Sequence, residues 1–257
     1  MAALSLHPTE PNLESLAPTN NILTADEQTA AIAEAARIKA AQIRKEQYWN
    51  KVKEPVLTVS DVNAQDLYDA LEDDGVVIDD MNREVVKNLC YYFANDPAFE
   101  LSGDYSLKKG LFLFGGVGIG KTFLMDKFRQ ASAKHMYRMA DCSDIAAKFA
   151  ANGEDGISMY FKDTQLTEHN KFGHEYAGWC FDDLGIESDG RYFGNQKNVM
   201  ERVLEVRYRS HHKLVTHMIS NLTAPQLKDR YGERIIDRMA EMFNLITFPS
   251  AAKSRRK

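Results

Sequence analysis

Residues 115–122 read Gly-Gly-Val-Gly-Ile-Gly-Lys-Thr, which fits the pattern G-x-x-x-x-G-K-T. A wholly apolar run, Leu111–Phe114, precedes this loop, and the residues after it are typical of a helix. In such a loop the backbone N–H groups surround a phosphate chain, because only glycine lets the backbone approach so closely. The helix N-terminus adds a partial positive charge. The pattern therefore predicts a triphosphate site after a buried parallel strand.

Each residue type in this loop has a chemical role. Lys121 is predicted to place its ammonium on the β- and γ-phosphates, and the Thr122 hydroxyl is predicted to bind Mg²⁺. The predicted ligands are therefore ATP and Mg²⁺. The residues predicted to bind the nucleotide are Gly115, Gly116, Val117, Gly118, Ile119, Gly120, Lys121 and Thr122.

A second apolar run, Trp179–Phe181, ends in two acidic residues. Asp182 is expected at the carboxyl edge of the sheet, where ligands bind in open α/β folds, and is predicted to complete the Mg²⁺ site. Asp183 stands where many such ATPases have a glutamate that polarises the attacking water. Because aspartate is one methylene shorter, hydrolysis is predicted to be slow. The alternative is that both acids only cap the next turn.

A third predicted strand, Leu214–Ser220, is followed by Asn221. Asn221 is expected at the same edge of the sheet, where its amide would contact the γ-phosphate or the attacking water. The alternative is an ordinary turn asparagine.

Arg234 and Arg238 lie one helical turn apart on one face of a predicted helix. Because no run of acids accompanies them, we expect them to contact anions outside the subunit. The alternative is local pairing with Glu233 or Asp237.

Four motifs resemble the DnaC/IstB family of AAA+ ATPases, which comprises bacterial helicase loaders and transposition helper ATPases. The resemblance covers residues 105–250. The motifs are Gly115–Thr122, Asp182–Gly185, Ser220–Thr223 and Tyr231–Arg238.

The resemblance implies an α/β fold of the P-loop AAA+ type, with a parallel sheet flanked by helices. Asn221 resembles the family's sensor residue. Arg238 resembles the arginine finger that reaches into the ATP site of the next subunit, with Arg234 as the second candidate. Self-association into a ring or spiral, and assembly-dependent hydrolysis, are implied too. The stretch after Met239 is short, so no C-terminal lid is expected.

The part of the chain before the phosphate loop is predicted to be helical. Ser60 and Asp61 are expected to cap one helix, and Asp79 and Asp80 a second. A capping box at residues 24–27 starts a long, Ala-rich helix, which is predicted to bind a partner. The predicted organisation is a flexible leader 1–23, an N-terminal helical extension 24–54, a helical linker 55–104 and the ATPase core 105–257.

Charge and composition limit the function classes. The net charge of −5 and pI of 5.8 argue against a basic field over the whole chain. The three cysteines fit neither a zinc pattern nor a disulfide framework. No apolar run has the length of a membrane span and no signal peptide is evident, so a cytoplasmic location is expected. Basic residues are scattered, and none is assigned to DNA; they include Lys108, Lys109, Arg207, Arg209 and Lys213.

The sequence thus predicts an ATP-dependent helicase loader in DNA replication. Its predicted partners are a replicative DNA helicase, bound through residues 24–54, and DNA, single-stranded by the family resemblance. The alternative is a transposition helper ATPase that assembles on DNA and recruits a transposase. A P-loop small-molecule kinase leaves Asn221 and Arg238 unexplained.

Overall fold

The structure is a computed structural model that describes residues 62–131, 136–166, 175–192, 195–210 and 214–255, together with the helical residue Lys39. The chain divides into two units, 1–53 and 54–257. The elements below all belong to the second unit. The predicted leader, and the predicted helix 24–54 apart from Lys39, lie outside the described residues.

Helices and strands alternate along most of the described chain. The helices are α1 (Ala64–Asp73), α2 (Arg83–Phe93), α3 (Lys121–Ala131), α4 (Cys142–Ile157), α5 (Val199–Tyr208), α6 (Ala224–Tyr231) and α7 (Glu233–Met242). The strands are β1 (Gly110–Phe114), β2 (Met136–Asp141), β3 (Thr164–Gln165), β4 (Tyr176–Asp182), β5 (Gly190–Tyr192), β6 (Asn195–Lys197), β7 (Thr216–Ser220) and β8 (Phe243–Thr247).

Five of these strands form a parallel sheet in the order β2-β4-β7-β1-β8, and β3 pairs antiparallel with β4. Phe112 of β1 pairs with Met218 of β7 on one side and with Leu245 of β8 on the other. The phosphate-loop strand β1 therefore lies inside the sheet. This position explains its continuous apolar sequence, since helices cover both faces of such sheets.

Alternate residues of β1 point to opposite faces of the sheet, as the pleat of a strand requires. Leu111 and Leu113 belong to one buried cluster, which also contains residues of α1, α2 and α3. Phe112 belongs to a second cluster, formed with residues of α4, α5, α6 and α7. Helices thus cover both faces, which confirms the predicted α/β fold with a sheet flanked by helices.

Helix α1 begins later than the sequence suggested. Asn63 caps α1 by accepting a hydrogen bond from Asp66 N at 2.9 Å, and the Asp66 carboxylate accepts from Asn63 N at 3.3 Å. This reciprocal pair satisfies two N-terminal donors. The cap expected at Ser60 or Asp61 falls on residues outside the described part of the chain.

The predicted cap of the second helix is wrong in detail. Helix α2 begins at Arg83 after Asn82, while the Asp79 carboxylate accepts a hydrogen bond from Met81 N at 2.9 Å inside the preceding turn. The apolar periodicity is confirmed, because the predicted core residues of α2 are all buried. They are Val85, Val86, Leu89, Tyr92 and Phe93.

Arg207 is part of the core rather than of a basic surface. Its side chain is fully buried, and it forms an ion pair with Asp163 at 2.8 Å. Its Nε also donates to Thr216 Oγ1 at 2.8 Å. Burial of a guanidinium requires such partners. Arg207 therefore joins α5 to the sheet. Because its side chain is buried, it does not belong to the basic residues on the surface that DNA could contact.

The three cysteines, Cys90, Cys142 and Cys180, are free and buried, as the sequence indicated. Burial raises the pKa of the Cys90 thiol to about 12. Among the described residues, no helix is long and apolar enough to cross a membrane.

Candidate functional site: the phosphate loop and its neighbours

The phosphate loop connects β1 to α3, and three of its four glycines adopt backbone angles that other residues avoid. Gly118 and Gly120 have φ angles of 80° and 101°. The helix starts at Lys121, whose side chain is buried against the loop. The Lys121 ammonium donates to the carbonyl oxygens of Gly115 and Gly116, each at 2.8 Å. The loop therefore curves around the ammonium group and holds it at the sheet edge.

Asn221 links the phosphate loop to the acidic strand. The Lys121 ammonium donates to Asn221 Oδ1 at 2.7 Å, and Asn221 Nδ2 donates to Asp183 Oδ1 at 2.6 Å. The amide uses its acceptor toward the cation and its donor toward the carboxylate, as its chemistry requires. The structure thus brings together three side chains that the sequence placed in separate motifs.

Thr122 and Asp182 lie side by side on the same edge. The Thr122 hydroxyl donates to Asp182 Oδ1 at 3.1 Å. Burial raises the pKa of Asp182, and the nearby negative charge of Asp183 raises it further. A hydroxyl and a carboxylate are oxygen ligands of the kind that Mg²⁺ prefers, so these residues fit the predicted metal.

Thr122 and Asp182 suit a metal ion whose remaining ligands are water and the phosphates of a nucleotide. Within the described ranges, no group of three or more His, Cys, Asp or Glu side chains forms a metal site. Mg²⁺ in such proteins keeps several waters and is bound by one or two protein groups plus substrate phosphates. Thr122 and Asp182 supply that small number of protein ligands.

The backbone after β4 turns sharply at Asp183, which has a φ of 54°. Left-handed conformations are uncommon outside glycine and occur often at functional sites. Asp183 N donates to Asp182 Oδ1 at 2.9 Å. Two residues later, Gly185 has a φ of 101°, and a Cβ there would lie 2.3 Å from Leu222 Cδ1. This turn aims the Asp183 carboxylate at Asn221.

Glu187 supports this turn, although no sequence pattern marks it as a site residue. Its buried carboxylate accepts from Gly185 N at 2.7 Å and from the hydroxyl of Tyr231. Arg230 pairs with it at 3.3 Å. Burial raises the pKa of Tyr231, and the charge of Glu187 adds to the effect. Part of the motif Tyr231–Arg238 therefore holds the acidic turn in place.

A cleft of about 820 Å³ lies over the phosphate loop. Its lining residues come from the segment before α2, from the phosphate loop with the start of α3, from the positions that follow β4 and β7, and from the described C-terminal end. Among them are Val76, Val77, Lys121, Thr122, Phe123, Asp183, Asn221 and Arg255. Its volume is within the range of small-molecule and cofactor sites.

Arg234 and Arg238 pair with an acidic residue of another helix and do not line the cleft. Both donate to Glu205 Oε1, at 2.8 and 2.9 Å. The Arg238 guanidinium also lies over the Tyr208 ring, 5.0 Å from its centroid. An acid that pairs with both arginines is thus supplied by α5, at a distance along the chain from their own helix. Glu233 pairs instead with Lys228 at 2.7 Å. Neither arginine is among the described residues that line the cleft.

Strand order and site together define a P-loop NTPase of the AAA+ type. The phosphate loop follows β1, the acidic strand is β4, and β7 lies between them with Asn221 at its end. The fold expected from the sequence resemblance is thereby confirmed.

Several solved structures are similar to this chain. The chain is similar to a crystal structure of the DnaC helicase loader, with 17% identity, 67% of this chain and 92% of that chain covered, and a TM-score of 0.46. It is similar to a crystal structure of DnaI, with 18% identity, coverage of 77% and 90%, and a TM-score of 0.47.

A third similar structure is AMPPCP-bound DnaA from Aquifex aeolicus, with 18% identity, a TM-score of 0.45, 79% of this chain and 53% of that chain covered. No protein-family model matches the sequence, and no curated protein matches it. The AAA+ assignment rests on the strand order and the phosphate loop of this chain.

Proposed function

We propose that this protein binds and hydrolyses ATP with Mg²⁺, and that it uses this cycle to place a replicative helicase on DNA. The observation that carries the ATPase proposal is the chain of contacts from Lys121 through Asn221 to Asp183. It joins a phosphate-binding cation, an amide and a carboxylate at the edge where ligands bind. Phosphoryl transfer to water uses a cation on the phosphates and a residue that positions the attacking water.

In this proposal the residues have distinct roles. Lys121 binds the β- and γ-phosphates in exchange for its present contacts with the loop carbonyls. Asp183 orients the attacking water and accepts its proton, and Asn221 fixes the direction of the carboxylate. Thr122 and Asp182 would hold Mg²⁺, which would supply charge stabilisation for the phosphate oxygens.

Arg238 is proposed as the finger that contacts the nucleotide of the next subunit in a ring or spiral, with Arg234 as the second candidate. Both arginines share one carboxylate, Glu205, so the cluster of three side chains keeps a net positive charge. Arg234 is the more exposed, with 71% of its side chain accessible, against 25% for Arg238. A cation supplied in trans makes hydrolysis depend on assembly.

The role in helicase loading is supported by the motifs that resemble the DnaC/IstB family, Ser220–Thr223 and Tyr231–Arg238, and by the segment 1–53 outside the ATPase unit. We propose that residues 24–54 bind the helicase and that the assembled ATPase contacts single-stranded DNA.

The test is size-exclusion chromatography with light scattering. The full chain is mixed with the replicative helicase of its host, with ATP–Mg²⁺, with ADP–Mg²⁺ or without nucleotide. We expect a co-complex that depends on the nucleotide and is lost when residues 1–54 are deleted. This deletion ends one residue beyond the boundary between the two units, which lies between residues 53 and 54. Absence of a complex, combined with ATP-dependent assembly on duplex DNA, would favour the transposition helper instead.

A further inference from the structure

The described C-terminal end returns to the phosphate loop after the last strand. Beyond β8, a turn closes with Ala252 N donating to Pro249 O at 2.9 Å. Arg255 N then donates to Gly118 O at 2.8 Å. The side chain of Arg255 passes so near Gly120 that a Cβ there would lie 4.0 Å from Arg255 Cδ. The C-terminal segment therefore lies directly on the loop that is predicted to bind phosphate.

The guanidinium of Arg255 continues from the loop to the opposite wall of the cleft. Its Nη1 donates to Val77 O at 3.2 Å, and its Nη2 donates to Asp79 Oδ1 at 2.6 Å. The hydrogen bond from Arg255 lowers the pKa of Asp79. One residue thus connects the phosphate loop to the segment before α2, and 29% of its side chain remains accessible.

The wall that Arg255 reaches is held by its own hydrogen bonds. Asn82 Nδ2 donates to Val77 O at 3.0 Å, and Asn82 Oδ1 accepts from Asp79 N at 2.8 Å. Asn82 is 4% exposed and itself lines the cleft. A buried side chain that ties both ends of a turn fixes its backbone. Arg255 therefore contacts a surface with a defined shape.

The cleft has more room than a triphosphate needs. The phosphates belong on the loop around Lys121, and the remaining lining includes apolar side chains of Val76, Val77, Phe123 and Leu124. Such a surface suits a flat heterocyclic base, since ligand sites combine apolar walls with a few polar groups. Arg255 lines this same space.

We propose that Arg255 is a nucleotide-binding residue that contacts the adenosine end of ATP while holding the Val77–Asp79 wall against the phosphate loop. The proposal deepens the ATP site proposed above and rests on it. Asp79 already balances the positive charge of the guanidinium, which makes Arg255 a poor additional phosphate ligand. A planar guanidinium can still stack on an aromatic ring and donate from its remaining N–H groups.

The test measures equilibrium binding of three probes to the full-length protein by calorimetry: ATP–Mg²⁺, ADP–Mg²⁺ and inorganic tripolyphosphate with Mg²⁺. For Arg255→Ala we expect ATP and ADP to bind more weakly by the same factor, about three- to tenfold, the size of a partly buried cation–π contact. Tripolyphosphate, which lacks the adenosine, should bind as tightly as to the wild type.

Two further variants give the comparison. Lys253→Ala removes an exposed cation from the same segment and should leave all three affinities unchanged. Arg255→Lys keeps the charge but not the planar guanidinium, so it should weaken the binding of ATP and of ADP by the same factor. This conservative variant distinguishes the role of the guanidinium from any loss of folding in Arg255→Ala.

Unchanged ATP and ADP affinities in Arg255→Ala would overturn the inference, as would an equal loss of tripolyphosphate binding. Failure of the wild type itself to bind ATP would overturn the inference and the proposed function together. ATP binding that Lys121→Ala abolishes but Arg255→Ala leaves intact would overturn the inference alone.

Discussion

The side-chain amide of Asn221 donates a hydrogen bond to the carboxylate of Asp183, with 2.6 Å between Nδ2 and Oδ1. The same amide accepts a hydrogen bond from Lys121. Asn221 therefore stands between the cation that would bind the γ-phosphate and the carboxylate that would activate water. Movement of Lys121 toward a phosphate would therefore act on Asp183 through the side chain of Asn221.

Asn221→Ala should separate hydrolysis from binding. Asp183 loses the donor that fixes its direction, so the turnover number should fall by about tenfold or more, while the Kd for ATP changes little. Steady-state phosphate release and calorimetry measure the two quantities. The control is Asn198→Ala, which removes an asparagine that caps α5, with Oδ1 3.1 Å from Glu201 N. An equal loss of turnover in the control would contradict the assigned role.

Lys121→Ala should weaken ATP binding by at least about tenfold, because a charge-assisted bond to phosphate is lost. Equilibrium binding of ATP–Mg²⁺ measures the effect. Lys87→Ala serves as the control, since Lys87 is an exposed lysine of α2 that pairs with Glu84 at 3.4 Å. Equal affinities for ATP in Lys121→Ala and the wild type would refute the site.

Arg238→Ala should bind ATP normally but hydrolyse it at least about a thousandfold more slowly, the loss expected for an arginine finger. Mixing it with Asp183→Asn should restore part of the turnover. In a random equal mixture, about a quarter of the interfaces would pair an intact Asp183 with an intact Arg238.

Arg202→Ala is the matched control for this mixing experiment. Arg202 lies on α5, as Glu205 does, and pairs with Glu154 at 2.9 Å. Its loss should leave turnover near the wild-type value. If mixed assemblies of Arg238→Ala and Asp183→Asn show no recovery, the arginine does not act on a neighbouring subunit.

Asp182→Asn should stabilise the protein in the absence of Mg²⁺ and nucleotide. The pKa of Asp182 is raised by burial and by Asp183, so the fold favours the protonated carboxyl. This contribution to stability is full below the unfolded pKa of about 3.8 and is lost as the pH rises through the folded value. At pH 7 the ionised group therefore opposes folding, and an amide does not.

The expected rise in Tm for Asp182→Asn is about 1–3 °C at pH 7, and it should shrink toward pH 4. Thermal denaturation across this pH range measures it, with the exposed Asp229→Asn as the control. Addition of ATP–Mg²⁺ should raise the Tm of the wild type more than that of Asp182→Asn. A lower Tm for Asp182→Asn than for the wild type at pH 7 would contradict the conclusion that the ionised Asp182 carboxylate opposes folding.

The sequence by itself determined the local chemistry of this protein. The order of strand, glycine loop and helix, the acids after β4 and the asparagine after β7 follow from short-range patterns, because backbone geometry and burial restrict which residues fit there. Strand ends in a parallel sheet meet at one edge, so even the gathering of Lys121, Asp182 and Asn221 could be expected.

Only the tertiary structure decided which distant side chains meet. Glu187, which accepts from Tyr231, supports the acidic turn at Gly185. Glu205 holds both Arg234 and Arg238, and Arg255 lies on Gly118. These contacts depend on how helices and loops pack around the sheet. Periodicity and motif spacing carry no information on such packing, so sequence patterns do not predict these contacts.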